Sequence, residues 1–441
     1  MKMATIMEKV LKWNGSISGS FKKGNHLIRN SLILILGTGL SQFIPLLFSP
    51  VLTRVFSPFE FGQLAFFMAC ASIMTILSTG LFELAIMLPK KDRVSLNIIG
   101  LIVLSSLVFS VVVLLFLLFY LFIFGGIFYN KQDYKYLILL PLGIFFNAVF
   151  QAMNYWFNRK KQYKIINISK ITQSTGTVFI SIVLGFLGYK NWGLIIGYVG
   201  GTFLATLPFF FILYKRYSII SFAEIKQSAK LYSSYPKLMM PSSFVNTAAS
   251  QAPIFFITHF FTKEIVGGFS FASRMLTAPV AVISTSIGQI YFKNISDIVI
   301  LKGKRILPEF IKTTKILTLI SLLIFVPIAF FGSTLFNFVF GAQWTTAGYY
   351  VQIISLGVLV KFIVSPLSSV FLATSNLKTV ASWQFIYFCS TLLMFYIASH
   401  FSIITLLWIY VGHEIILYSV YYLLMIFAIK KFDNKLVIPC T

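Results

Sequence analysis

Twelve apolar segments, each about as long as a bilayer is thick, leave this chain few ways to fold. They run roughly 29–52, 61–88, 95–124, 136–157, 165–188, 191–214, 238–261, 265–291, 310–338, 346–372, 379–399 and 403–429. A helix needs about 20 apolar residues to cross ~30 Å of hydrocarbon, and in that layer every backbone polar group must be satisfied internally. The pattern predicts an all-α membrane protein with about 12 transmembrane helices. Composition agrees, since 58% hydrophobic and 11% charged residues over 441 positions leave too little polar surface for water.

A net charge of +25 would point to nucleic acid in a soluble chain. Here the basic residues sit in the short gaps between apolar runs, where lysine and arginine mark the cytoplasmic side. With the N-terminus inside, 28 of the 36 fall in the two tails and the loops 89–94, 158–164, 215–237, 292–309 with its flanks, and 373–378. Five fall outside (Arg54, Lys131, Lys135, Lys190, Lys263) and three within spans (Lys170, Arg274, Lys361). Both termini are therefore expected in the cytoplasm, and nucleic acid is not an expected partner. The cluster Arg159, Lys160, Lys161 and Lys164 reads as a topology signal that touches anionic lipid. The first 28 residues lack an apolar core followed by a small-residue cleavage site, so the first span is expected to stay in the mature protein. Cys70, Cys389 and Cys440 have neither paired nor metal-type spacing, which predicts no disulfide and no metal site.

An internal repeat divides the chain. SQFIPLLFSPVLTRVFSPFEFGQLAFF (41–67) resembles SQAPIFFITHFFTKEIVGGFSFA (250–272), aligning Thr53 with Thr258, Phe56 with Phe261, Gly62 with Gly267 and Phe66 with Phe271. Spans 1 and 2 thus correspond to spans 7 and 8. Six spans per unit is an even number, so the two units enter the membrane in the same direction. That predicts two six-helix lobes related by a pseudo-twofold axis along the membrane normal, with a central cavity between them. The expected organisation is a cytoplasmic tail (1–28), an N-lobe (29–214), a cytoplasmic linker (215–237), a C-lobe (238–429) and a cytoplasmic C-terminal tail (430–441).

Polar residues inside the spans follow helical spacing. Thr38, Ser41, Gln42, Pro45 and Ser49 form one stripe, and Ser72, Thr75, Thr79 and Glu83 another; Ser243, Asn246, Thr247, Ser250 and Gln251 form a third, and Ser270, Ser273, Arg274, Thr277 and Ser284 a fourth. A fifth, on span 5, carries Asn167, Lys170, Gln173, Ser174, Thr177 and Ser181. Serine and threonine are also common where membrane helices pack closely, so a single stripe decides nothing. Stripes on the repeat-related spans 1, 2, 7 and 8 predict a hydrated cavity. Lys170 is near enough to its span's cytoplasmic start for its stem to snorkel partly. Arg274 lies near mid-span and cannot shed its proton, which is expensive unless an anion or water meets it. Lys361 has either a substrate role or a structural partner such as Glu414.

LFELAIMLPKKD (81–92) after LTRVFSPFEFGQLAFF (52–67), NYWFNRKKQYK (154–164), and FGAQWTTAGYYVQII (340–354) before SSVFLATSN (369–376) resemble the Wzx-type polysaccharide flippases. These belong to the multidrug/oligosaccharidyl-lipid/polysaccharide exporter superfamily. The resemblance runs from about residue 28 to 430. It implies a transporter of the bacterial cytoplasmic (inner) membrane that moves an undecaprenyl-diphosphate-linked oligosaccharide outward for O-antigen or other surface polysaccharide, by alternating access through a cationic cavity. Membrane lipids and other polysaccharide-assembly proteins would be its partners. No universal family motif marks the cavity cations, so the nominations rest on this chain: Arg274, Lys170 and Lys361 for substrate, Arg29 and Arg54 at the two ends of span 1, and Gln42, Ser41, Asn246, Ser250 and Gln251 as polar lining. Glu83, or Glu414 beside His413, is the candidate site for a coupling proton or sodium ion, unless Glu83 simply pairs with Lys90 or Lys91. No cofactor is expected, although a proton gradient, a sodium gradient or the membrane potential would drive transport. Two other classes stay open. A membrane glycosyltransferase or polymerase would need a sizeable outer loop, whereas the external loops here are short and offer only Glu60, Asp133 and Glu264 as acids. An ion-coupled drug exporter of the same superfamily would share the fold but usually carries anionic sites.

Overall fold

The computed structural model describes residues 26–128, 132–215, 220–300, 305–374 and 376–437. Every apolar segment carries a helix. α1 (His26–Leu47) and α2 (Ser49–Val55) share the first, with Pro45 and Pro50 flanking the interruption at Phe48. α3 (Pro58–Thr79) and the short α4 (Phe82–Ala85) share the second. α5 (Asp92–Phe128), α6 (Leu140–Arg159), α7 (Tyr163–Phe186) and α8 (Lys190–Lys215) complete the first half. α9 (Phe222–Leu231) lies in the linker. The second half contains α10 (Met240–Phe260), α11 (Lys263–Ile300), α12 (Leu307–Phe340), α13 (Thr345–Val364), the short α14 (Val370–Ala373), α15 (Leu377–Ala398) and α16 (Ile403–Val437).

Local chemistry sets several boundaries. Ser57 and Glu60 form a capping box at the start of α3, with Ser57 N donating to Glu60 Oε2 at 2.7 Å, so this acid is held as a helix cap. Gly80 ends α3 in the left-handed region, and Leu81 follows with φ 58°, a conformation a branched side chain rarely adopts. Several helices outrun the apolar segments that predicted them, α11 by nine residues at its C-terminal end (Ile300 against 291) and α16 by eight (Val437 against 429). Hydropathy sees only the lipid-facing length, whereas the helix continues for as long as its own backbone ladder is favourable.

Among the described residues, nine helical stretches are long and apolar enough to cross a membrane. α1, α7 and α10 are not among them. On α7 and α10 the polar stripes dilute the hydropathy, for example Asn167, Lys170, Gln173 and Ser174 on α7.

Helix neighbours repeat between the halves. α1 packs on α7, α7 on α8, α3 on α6, α6 on α8 and α5 on α6; likewise α10 packs on α15, α15 on α16, α11 on α13, α13 on α16 and α12 on α13. α3 and α11 make the main contact between halves, and it is reciprocal. A Cβ placed on Gly62 would meet the carbonyl of Lys263, and one on Gly267 the carbonyl of Pro58. Each would also press the other glycine's amide nitrogen, at 3.1 and 2.8 Å. Hydrogen bonds leading into the two helices match as well: Phe56 N to Leu52 O at 2.8 Å against Phe261 N to Ile257 O at 2.9 Å.

The bundle end beside this crossing is closed. Trp344, fully buried, donates from Nε1 to Thr53 O at 3.0 Å, and Gln343 Nε2 donates to the same oxygen at 2.5 Å. Phe61 and Phe271 pack on the indole with ring centroids 4.9 and 4.6 Å away, and Phe340 packs on Phe271 at 5.0 Å. At the opposite end, Arg159 donates to the carbonyls of Ile86, Met87 and Lys90, and Arg159 and Lys160 both pair with Asp92. Part of the basic cluster therefore pins the turn after α4. Arg93 and Asn97 hold Glu224 of the linker helix, the former at 2.5 Å.

Overpacking a close helix crossing is destabilising by ~1–3 kcal/mol. Gly62→Ala and Gly267→Ala are each expected to lower the unfolding temperature of the detergent-purified protein. Because they strain one contact, the double variant should lose less than the sum of the two; unchanged melting of either single variant would disprove the crossing.

Candidate functional site

Two chambers lie beside the α3–α11 contact, and Arg274 of α11 lines both. The smaller, about 390 Å³, is walled by α1, α7 and α11 and contains Ser41, Gln42, Lys170 and Gln173. The larger, about 1030 Å³, lies among α10, α11, α13, α15 and α16 of the second half with α3 and α8 of the first, and contains Asn246, Ser250, Gln251 and Lys361. It reaches Pro241 and Ser242 in the first turn of α10, so it runs toward the end away from the closed one. The expectation of one central cavity is thus modified. Close approach of α3 and α11 places Met68 and Arg274 between the two spaces, and Ser41 and Ser250 lie in different chambers.

Arg274 lies eleven residues beyond Lys263, about 16 Å along α11. Its side chain is exposed to the chambers, and the only hydrogen bond described for it runs from Nη2 to the thioether of Met68 at 3.2 Å. A thioether is a weak acceptor. Among the described residues no acid forms an ion pair with Arg274, and the acids that might have done so are occupied or distant. Glu414 accepts from Tyr387 Oη at 2.7 Å and stands 3.6 Å from Lys361 Nζ. Lys361 also lies over the Tyr418 ring, 5.5 Å from its centroid. Lys361 therefore has the structural partner that its sequence position left open. His413 Nε2 meets Ser390 Oγ at 3.0 Å, while its Nδ1 is 4.0 Å from Glu414.

Lys170 donates to Thr38 Oγ1 at 2.9 Å, tying α7 to α1 with a neutral acceptor. Glu83, 2% exposed, makes no ion pair with Lys90 or Lys91 among the described residues, and its Oε2 is buried without a hydrogen bond. Arg54 is exposed in the last turn of α2 and lines neither chamber. The Arg29 side chain lies outside the described residues, as do residues 1–25 and 438–441 of the two tails.

The hydroxyls of the stripes behave in a mixed way. Ser41 Oγ donates to Thr38 O at 2.8 Å and Ser250 Oγ to Thr247 O at 2.8 Å, so their protons serve the helix and their lone pairs remain as acceptors. Gln42, Asn246 and Ser250 are exposed to the chambers, whereas Ser41 is 6% exposed. Sequence reading missed the aromatic wall of the larger chamber (Trp383, Tyr387, Tyr410, Tyr418, Tyr421) and the Trp344–Thr53 closure. Aromatic residues in apolar spans carry no periodic signal of their own. The only available hint was the AQW break between spans 9 and 10.

A helical bundle of this kind, with nine described stretches long and apolar enough to cross a membrane, is a multi-pass membrane protein. Residues 51–349 match the model of a family described as polysaccharide biosynthesis protein, and the chain belongs to that family. It is 23% identical over 337 residues to the teichuronic acid biosynthesis protein TuaB of Bacillus subtilis (strain 168), covering 72% of this chain and 66% of that protein's length. The fold is shared with the lipid II flippase MurJ in an inward closed conformation, at a TM-score of 0.64 and 16% identity over 93% of this chain and 91% of MurJ. It is likewise shared with an inward-facing multidrug resistance MATE family transporter of the MOP superfamily, at a TM-score of 0.58 and 14% identity over 91% of this chain and 99% of that one.

In a background without the three native cysteines, Gln42→Cys and Ser250→Cys are expected to react with a water-soluble maleimide in membranes. Ser355→Cys, at a fully buried position, should stay unreactive. Inertness of both chamber positions in folded protein would make the chambers dry.

Proposed function

We propose that this protein is a flippase that carries an undecaprenyl-diphosphate-linked oligosaccharide unit from the cytoplasmic to the outer leaflet of a bacterial cytoplasmic membrane for surface-polysaccharide synthesis. The observation that carries the reading is Arg274, a mid-helix guanidinium at the junction of two chambers, with only a thioether as hydrogen-bond partner among the described residues. Such a group needs an anion, and a diphosphate suits the paired donors of arginine. Membership of a polysaccharide biosynthesis family supports a glycan cargo. The names of a teichuronic acid biosynthesis relative and of a lipid II flippase with the same fold point the same way.

In this reading the two halves form six-helix lobes about a pseudo-twofold axis along the membrane normal, an arrangement supported by the matching helix neighbours and the reciprocal glycines. Both termini are cytoplasmic by the distribution of lysine and arginine. The closed end is then the outer one and the chambers extend toward the cytoplasm, where the lipid-linked unit is made. The diphosphate and sugars use the polar interior, and the polyprenyl chain stays in lipid. Lys170 gives the smaller chamber a second cation, and Arg29 and Arg54 serve the uptake and release ends. Of the two acids proposed for ion coupling, Glu83 has an unpartnered oxygen, whereas Glu414 is engaged by Lys361 and Tyr387. That engagement also argues against export of cationic drugs, which requires a free carboxylate in the chamber.

Deleting the gene should leave lipid-linked units on the cytoplasmic leaflet while their synthesis continues; loss of synthesis would instead indicate a transferase. Arg274→Ala should reduce export by about 10- to 100-fold, since a charge-assisted hydrogen bond is worth ~1.5–3 kcal/mol, and Arg274→Lys should reduce it less. Normal export by Arg274→Ala at wild-type abundance would refute the diphosphate assignment.

A further inference from the structure

Seven aromatic side chains from α15 and α16 line the larger chamber, and the order of Trp383, Tyr387, Tyr418 and Tyr421 among them is more specific than a greasy lining requires. Trp383 and Tyr421 are stacked at 4.5 Å with ring planes 13° apart. Tyr418 stands edge-on to both Trp383 and Tyr387, at 6.5 and 6.2 Å. Asn246, Ser250 and Gln251 of α10 line the same space, as does the exposed amide of Gln384 beside Trp383. The charge balance of this chamber is also distinctive. Lys361 is neutralised by Glu414 at 3.6 Å, so Arg274 at the boundary is the one unpaired cation among its described lining residues.

An aromatic wall, amide donors and acceptors, and no net charge in the interior do not suit the other parts of the cargo. A diphosphate requires cations, and a polyprenyl tail would leave the amides unsatisfied. A pyranose ring matches all three properties. Its C–H face is apolar and weakly positive, complementary to the negative face of an aromatic ring, while its hydroxyls are donors and acceptors at the rim. Covalent continuity adds a positional argument, since the first sugar is attached directly to the diphosphate. With the diphosphate at Arg274, that sugar must occupy an adjoining space, and the chamber of about 1030 Å³ is at the upper end of the ordinary range of ligand pockets, ~300–1,000 Å³.

Building on the flippase reading, we propose that the larger chamber is a glycan subsite, in which the half-buried Tyr418 is the stacking platform, the buried Trp383–Tyr421 stack holds it in place, and Gln251 and Gln384 bind sugar hydroxyls. The smaller chamber and Arg274 then hold the diphosphate, so the two parts of the headgroup are recognised in adjoining chambers that share Arg274.

The test compares two probes on purified protein in nanodiscs: lipid-linked units extracted from cells lacking this gene, and bare undecaprenyl diphosphate. Wild-type protein should bind the glycosylated lipid at least about tenfold more tightly. Tyr418→Ala and Gln384→Ala should abolish that preference without weakening the bare lipid, whereas Arg274→Ala should weaken both. Because Gln384 is exposed, its variant decides the matter if Tyr418→Ala fails to accumulate. Equal loss of both lipids, or an unchanged preference, in these variants overturns the subsite and leaves the flippase reading intact. Failure of wild-type protein to bind either lipid overturns both.

Discussion

The mutual approach of Gly62 and Gly267 is the constraint on which the rest of the structure depends. Each glycine leaves room for a carbonyl of the opposite helix, Lys263 for Gly62 and Pro58 for Gly267. Membrane helices gain little from hydrophobic driving force, because lipid is as apolar as leucine, so backbone proximity and close packing must supply the association. With α3 and α11 held this tightly, Thr53 comes within reach of Trp344, and Phe61 packs on Phe271. The same contact closes one end and sets Arg274 beside Met68 farther along. Closure and site geometry therefore share one cause.

Three cations inside the spans are accommodated by three different means. Lys361 uses a buried acid, Lys170 a threonine hydroxyl and Arg274 a thioether. Glu414 is buried while Lys361 is partly exposed to the chamber, so the lysine serves chiefly to offset the charge of the buried acid. Lys361 and Glu414 consequently behave as one neutral unit. The thioether offers Arg274 far less than a carboxylate would, and this incomplete satisfaction is what the proposed anion contact rests on.

Much of this arrangement was legible in the sequence. The helices followed from segment length, and the correspondence of the two halves from the constant offset that aligns Gly62 with Gly267; that these two glycines meet each other was not read from it. Gln42, Lys170, Asn246, Ser250 and Arg274, singled out by polar periodicity, line the chamber walls. Division into two chambers was not legible, because it depends on how closely two helices cross, a distance that periodicity does not encode. Pairing across 53 residues made Glu414 one candidate for Lys361 among several. Trp383 and Tyr421 were hidden by composition, since with 17% aromatic residues no single ring stands out. Arg159 illustrates a further limit: its charge marks a loop, but only the fold reveals that it binds the Ile86 and Met87 carbonyls.

The scaffold is repeated, but the chemistry on it is not. At the offset that aligns the two halves, Arg274 corresponds to Ala69 and Glu83 to Gly288. A cargo with distinct ends, an anionic diphosphate and a hydroxyl-rich glycan, is better matched by unlike chambers than by two copies of one site. A single arginine also has a mechanical advantage beside the crossing helices. In a cycle that rocks one half against the other, points near the axis move least. In the proposed cycle, the arginine that lines both chambers offers the anion the same contact from either space.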